Sequence, residues 1–188
     1  MNKGTSILVV IGVFLVAIAG FFILSYNSIV EKSEKIDAKY SDIETQLQRR
    51  ADLIPSLVNS VKGIMKHEQD AIDKVTEART KLVNAKGVSE KAEANDNLTN
   101  AVNNIIALAE NYPDLKASTN FTNLMDELSG TENRIATARK DYNDAVKEYN
   151  SYIKKIPTTI IAKMFGFNEK EYFKSAEGAN DVPEVDFK

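Results

Sequence analysis

The side chains best suited to chemistry in this sequence are its one histidine and a scatter of arginines and carboxylates. His67 is followed at once by Glu68, the pair that opens the helical zinc-protease motif. There, two histidines four residues apart share a helix face and hold the metal while the glutamate acts as base. The fourth residue after His67 is Ala71, so the second ligand is missing. A di-iron site in a bundle needs a Glu-x-x-His pair on each of two helices, and the residue three before His67 is Ile64. With no cysteine there is no thiolate ligand and no thiol nucleophile. Neither a G-x-S-x-G elbow nor a phosphate loop occurs. This pattern assigns no catalytic residue, no metal and no cofactor. The expectation is a protein that is not an enzyme, with a membrane-associated hydrolase as the alternative class.

What remains is a set of charges close to apolar seams: Arg50, Glu68, Arg79, Glu132 and Arg139. Arg50 falls on the same helical face as Leu57 and Ile64, so it is expected to face neighbouring helices, where an unpaired charge is costly. Its candidate partners are Glu68 and Glu132, with Arg139 completing a network. The set serves either as paired charges inside a bundle or as a pocket for a partner or ligand.

The elements that must position these groups are long helices. Ile36, Tyr40, Ile43, Leu47, Ile54, Leu57, Val61, Ile64, Val75 and Leu82 recur at alternating steps of four and three, which predicts a heptad seam. Gly87 supplies the helix end and restart, and Pro55 divides this first run, because proline removes the amide that would bond the Ala51 carbonyl. A second seam runs Leu98, Val102, Ile105, Ala109 and Tyr112, with an asparagine-rich outer face, up to Pro113. A third runs Leu124, Leu128, Ile135, Ala138, Tyr142, Val146, Tyr149 and Ile153 to Pro157, after a start at Ser118 or Thr119. No strand pattern appears. Each helix buries only a stripe, so an antiparallel bundle is predicted.

Ahead of the bundle, residues 7–24 are uncharged and apolar throughout. With Thr5, Ser6 and Ser25 they give about 20 residues, the length needed to cross a hydrocarbon core of about 30 Å. A signal peptide cleaved after Ala19 is the rival reading, against which the following GFFIL stays apolar. Lys32, Lys35 and Lys39 after the span compete with Lys3 and the terminal amine before it, so the charge rule leans towards a cytoplasmic domain. A start-proximal anchor after one lysine resembles an export signal that would place the domain outside, so the side stays open. The net charge of −3 sits in the last fourteen residues, with four acids against one lysine there and 23 against 23 elsewhere. That leaves no basic field for nucleic acid.

Four blocks in order, RRADLIPSLVNSVKGIMKHE, VTEAR, ENYPDLKAS and ENRIATARKDYNDAVKEYN, together with an anchor preceding YNSIV, resemble the LemA family of bacterial membrane proteins over residues 26–173. By that resemblance the family's first block falls on Arg50, Asp52, Leu53, Ile54 and Pro55. Its HE pair falls on His67 and Glu68, its YPDL on Tyr112 to Leu115, and its last block on Glu132, Arg139, Tyr142 and Asn143. Ser56 stands where asparagine is expected. The resemblance implies a single-pass membrane protein with a long-helix bundle and supplies no reaction.

The expected protein is therefore all-α. A transmembrane anchor (residues 1–25) precedes an antiparallel bundle (residues 26–174) whose first helix is kinked at Pro55, and an acidic disordered tail follows (residues 175–188). Its partners are membrane lipid through residues 5–25 and other proteins, copies of itself included, and not nucleic acid. The expected role is a scaffold or adaptor at the bacterial inner membrane, the alternative being a secreted helical binding protein released after Ala19.

Overall fold

The computed structural model describes residues 3–174, and the acidic tail expected from residue 175 lies outside them. Among the described residues there are six helices and no strand: α1 (Lys3–Lys62), α2 (Gln69–Asn84), α3 (Gly87–Ala109), α4 (Pro113–Lys116), α5 (Thr119–Lys154) and α6 (Thr158–Met164). The protein is all-α, a long apolar N-terminal helix leading into a helical bundle.

Residues 7–24 of α1 are almost all exposed, and the apolar window they form is long enough to cross a membrane, with none of it buried inside the protein. Apolar surface bare on every side is stable in hydrocarbon and unstable in water. A helix also satisfies its own backbone hydrogen bonds there.

α1 then continues through Pro55, which is exposed. The expected division of the first helical run lies further on, at residues 63–68, where Gly63 follows the last residue of α1. There the amides of Ile64 and Met65 both donate to the Val61 carbonyl. This change of backbone phase moves Ile64 off the seam into solvent and puts Met65 in its place, fully buried.

The described chain forms two compact units, each drawing on α1 and α5. One comprises Tyr40–Asn143 with Glu171–Lys174 among the described residues. It is an up-down bundle of four helical segments, in which the split of the first run provides the extra helix. Arg79 reaching Ala51 sets α2 antiparallel to α1, Lys91 bonding Glu44 and Arg50 bonding Asn95 set α3 parallel to α1, and Glu132 opposite Arg50 with Tyr142 against Tyr40 brings α5 back down. Short connections between successive helices favour this antiparallel order. Ile43, Leu47, Ile54, Leu57, Val75, Leu98, Ile105, Leu128 and Ile135 fill its core, so the seam spacing reads the burial of these positions correctly, while Tyr40 and Tyr112 at the seam ends are half-buried. Asn95, by contrast, belongs to the run read as a solvent face and is fully buried.

The other unit combines the part of α1 up to Lys39 with Asp144–Lys170. Ile29, Ile36, Val146, Tyr149, Ile153 and Ile161 are buried in it. Lys32 and Lys35, two of the positive charges that follow the apolar stretch, both bind Glu148, the second at 2.9 Å. These bonds hold the Glu148 carboxyl down to about 2. α6 ends in a left-handed residue, Gly166 (φ 74°), after which the Phe167 amide donates to the Ala162 carbonyl at 2.9 Å. This C-terminal cap brings Phe165 and Phe167 against Tyr26, with ring centroids 4.9 and 5.7 Å away.

Candidate functional site

Arg50 is the one charged residue on the α1 seam that the bundle buries, at 3% exposure. Its Nη1 donates to Asn95 Oδ1 at 2.8 Å and to Thr99 Oγ1 at 2.9 Å, both on α3, and pairs with the Glu132 carboxylate on α5. Burial pulls the guanidinium down from its ordinary value, while Glu132 and Asp96 oppose that. An arginine does not give up its proton in a protein, so the charge persists and ties three helices together. Beside it, Arg50, Thr99, Asn103, Ile106, Ser129 and Glu132 contribute to a shallow cavity of about 220 Å³. A guanidinium already held by a carboxylate and two neutral acceptors is a strut and an organiser of that groove. It presents no nucleophile and no base.

Glu68, the other partner expected for Arg50, lies elsewhere: it accepts from the Tyr112 hydroxyl at 3.2 Å, joining the start of α2 to the turn before α4. Arg139 does not join Arg50 directly. It pairs with Asp96 at 3.4 Å, donates to the Lys174 carbonyl at 3.2 Å, and sets its guanidinium 4.8 Å from the Phe173 ring centroid. Asp52 is exposed and accepts from Gln48 at 2.8 Å, one helical turn back. His67 is exposed in the α1–α2 connection. No group of three or more His, Cys, Asp or Glu side chains among the described residues is placed to hold a metal.

Arg79 accounts for the proline inside a helix. Its Nε donates to the Ala51 carbonyl at 2.8 Å. That carbonyl is the one whose helical donor would be the amide of residue 55, which proline lacks. Ala51 is buried, so water is a poor substitute. The arginine from α2 therefore replaces the missing bond and pins α2 to α1 at the same point. Two blocks separate in sequence, RRADLIP and VTEAR, are halves of one contact between residues 28 apart.

The last family block is also explained by contacts. The Tyr142 hydroxyl donates to the Glu171 carbonyl at 2.8 Å, and the Asn143 side chain makes both bonds of a backbone partner to Phe173: its Nδ2 donates to the carbonyl at 3.0 Å and its Oδ1 accepts from the amide at 2.8 Å. In the other unit the pair Tyr149 and Asn150 repeats this on Asn168 and Lys170, with bonds of 3.1, 2.9 and 2.9 Å. Seven residues of helix and three of extended chain each advance about 10 Å, so a Tyr-Asn pair repeated every seven meets an extended chain every three. Asn143→Ala is expected to speed hydrogen exchange of the Phe173 amide roughly tenfold, since that amide loses the Asn143 Oδ1 acceptor. Exchange mass spectrometry on the detergent-solubilised protein, with the Lys170 amide as internal control, checks this.

Asn95, Asp96, Thr99 and Asn150 escape the sequence reading, and Tyr149, read there only as a seam residue, gains a hydrogen bond to the Asn168 carbonyl. Asn95 lies three residues before Leu98 on the same seam, and Tyr149-Asn150 repeats Tyr142-Asn143 at a spacing of seven, so the signals were periodicities overlooked because the residues are polar.

Comparison with known proteins places the chain among relatives by sequence. The LemA family model matches residues 39–187. The magnetosome protein MamQ 2 of Paramagnetospirillum magneticum is 30% identical over 195 residues, spanning 90% of this chain and 71% of its own length. Magnetosome protein MamQ of Magnetospirillum gryphiswaldense is 28% identical over the same shares. Protein LemA of Metamycoplasma hominis is 26% identical over 173 residues, 87% of this chain and 77% of its own. On the extent of the family match and the order of its blocks in one helical architecture, the chain belongs to the LemA family.

Proposed function

We propose that this protein is a scaffold or adaptor tethered by a single pass in the bacterial inner membrane, where its bundle gathers protein partners at the envelope. The observation that carries this reading is the continuity of α1: the apolar stretch at residues 7–24 and the seam of the bundle belong to one uninterrupted helix, Lys3–Lys62. Supporting it, the groups most capable of chemistry are engaged in holding helices together: Arg50 with Glu132, Arg79 with Ala51, and Arg139 with Asp96.

The test uses a photo-crosslinking residue at exposed positions of α2 and α3, Asp73 and Asn100, in the full chain in cells. Reproducible adducts with a small set of other proteins in the carbonate-washed membrane fraction are expected. Adducts confined to copies of this chain, with the anchor retained in that fraction, would overturn the adaptor role.

A further inference from the structure

We propose that α6 and the residues flanking it form a second membrane contact, an apolar face that rests in the headgroup region of the bilayer crossed by the anchor and favours anionic lipid. α6 turns Thr158, Ile161 and Ala162 into its unit and leaves Ile160 and Met164 outside, with Ile156 before it and Phe165 after it. These four side chains are 85%, 55%, 63% and 54% exposed in chain order. Ile160 and Met164 are one helical turn apart on α6 and so share one stripe of it, with Ile156 in the turn just before the helix and Phe165 just after it. A stripe of large apolar residues bare to water calls for something to cover it.

The neighbours indicate what covers it. Phe22, Ile23, Tyr26 and Phe165 line a common cavity of about 250 Å³. Phe22 and Ile23 belong to the uncharged stretch, which gives way to Ser25 and Tyr26. α6 thus stands beside the last turn of the span, at the depth where tyrosine and tryptophan mark the lipid–water boundary. Two exposed lysines, Lys155 and Lys163, flank the stripe, while Lys154 is held by Glu169 at 2.7 Å. An apolar stripe bordered by ammonium groups is the pattern of a helix lying in the interface, its apolar side chains at the acyl boundary and its cations among the phosphates. A protein partner or second copy would have to displace lipid that the anchor already holds against this face.

The inference rests on residues 7–24 spanning the bilayer, and the experiment separates the two. Because the chain has no cysteine, Leu15→Cys, Glu34→Cys and Ile160→Cys each accept a single environment-sensitive fluorophore. The full chain is reconstituted into phosphatidylcholine vesicles, with and without phosphatidylglycerol, containing lipid brominated high in the acyl chain. The probe at 160 is expected to be quenched more than about twofold by brominated lipid and little by aqueous iodide, as befits an interfacial side chain. Lys155→Glu combined with Lys163→Glu should reduce that quenching in the phosphatidylglycerol vesicles. The probe at 34 should respond to iodide. If position 15 is quenched by lipid while position 160 answers only to iodide, the second contact is wrong and the span stands. If both positions answer only to iodide, both fall. A probe at 160 shielded from lipid and iodide alike would assign the face to a second copy and overturn the proposal. Equal quenching in the two vesicle types would remove its anionic preference.

Discussion

Arg50→Ala is expected to cost about 3 kcal/mol of stability, lowering the melting temperature of the detergent-solubilised protein by roughly 10 °C. The guanidinium is buried and bonded to two helices, and its loss leaves Asn95 Oδ1 and Thr99 Oγ1 without their charged donor and Glu132 without its cation. The carboxylate side chain is 37% exposed, so water recovers part of its solvation and holds the cost toward the low end of that for breaking a buried pair. Lys81→Ala, which breaks the surface pair with Glu77, should leave melting unchanged. The double replacement Arg50→Met with Glu132→Leu should recover more than half of the loss, because an apolar pair of similar volume needs no desolvation of charge. Thermal unfolding followed by circular dichroism decides the matter. If Arg50→Ala melts like the parent yet loses its crosslinked partners in cells, the groove beside Arg50 is a binding surface and the strut role is wrong.

The second large effect joins Arg79 to Pro55. Arg79→Ala removes the donor that serves the Ala51 carbonyl in place of a helical amide, and an unsatisfied buried carbonyl costs about 1–3 kcal/mol. Pro55→Ala restores the amide of residue 55, so the same Arg79→Ala change in that background should cost less than half as much. The Pro55→Ala change alone should be neutral or stabilising, since proline is a poor residue for a helix interior and its position here is exposed. The four proteins form a double-mutant cycle read by chemical denaturation. Equal costs of Arg79→Ala in both backgrounds would show that Arg79 acts through some other contact.

Taken residue by residue, the sequence alone determined those features governed by a period or by composition. The uncharged run at residues 7–24 specifies a membrane-spanning length, because hydrocarbon tolerates only a helix of that extent. The spacing of Ile43, Leu47, Ile54 and Leu57, of Leu98, Val102 and Ile105, and of Leu128 and Ile135 specifies the buried faces, because burial of an apolar stripe is a local consequence of 3.6 residues per turn. Gly87, Pro113 and Pro157 mark ends for equally local reasons.

What only the tertiary structure decided is which polar groups meet. Nothing in the spacing of Arg50 distinguishes Glu68 from Glu132, since both carboxylates lie beside helical seams and the choice depends on how the helices pair across the bundle. The proline at 55 reads as a break when considered in its own helix. It is accommodated because Arg79, on the next helix, supplies the hydrogen bond that the local chain cannot. Asn95 reads as solvent-facing because asparagine is polar, whereas its burial follows from the charge it must bind. Hydrophobic burial is roughly proportional to area and indifferent to partner, so a period suffices to find it. A hydrogen bond or ion pair needs a specific atom at a specific distance and direction, and those distances exist only once the helices have packed.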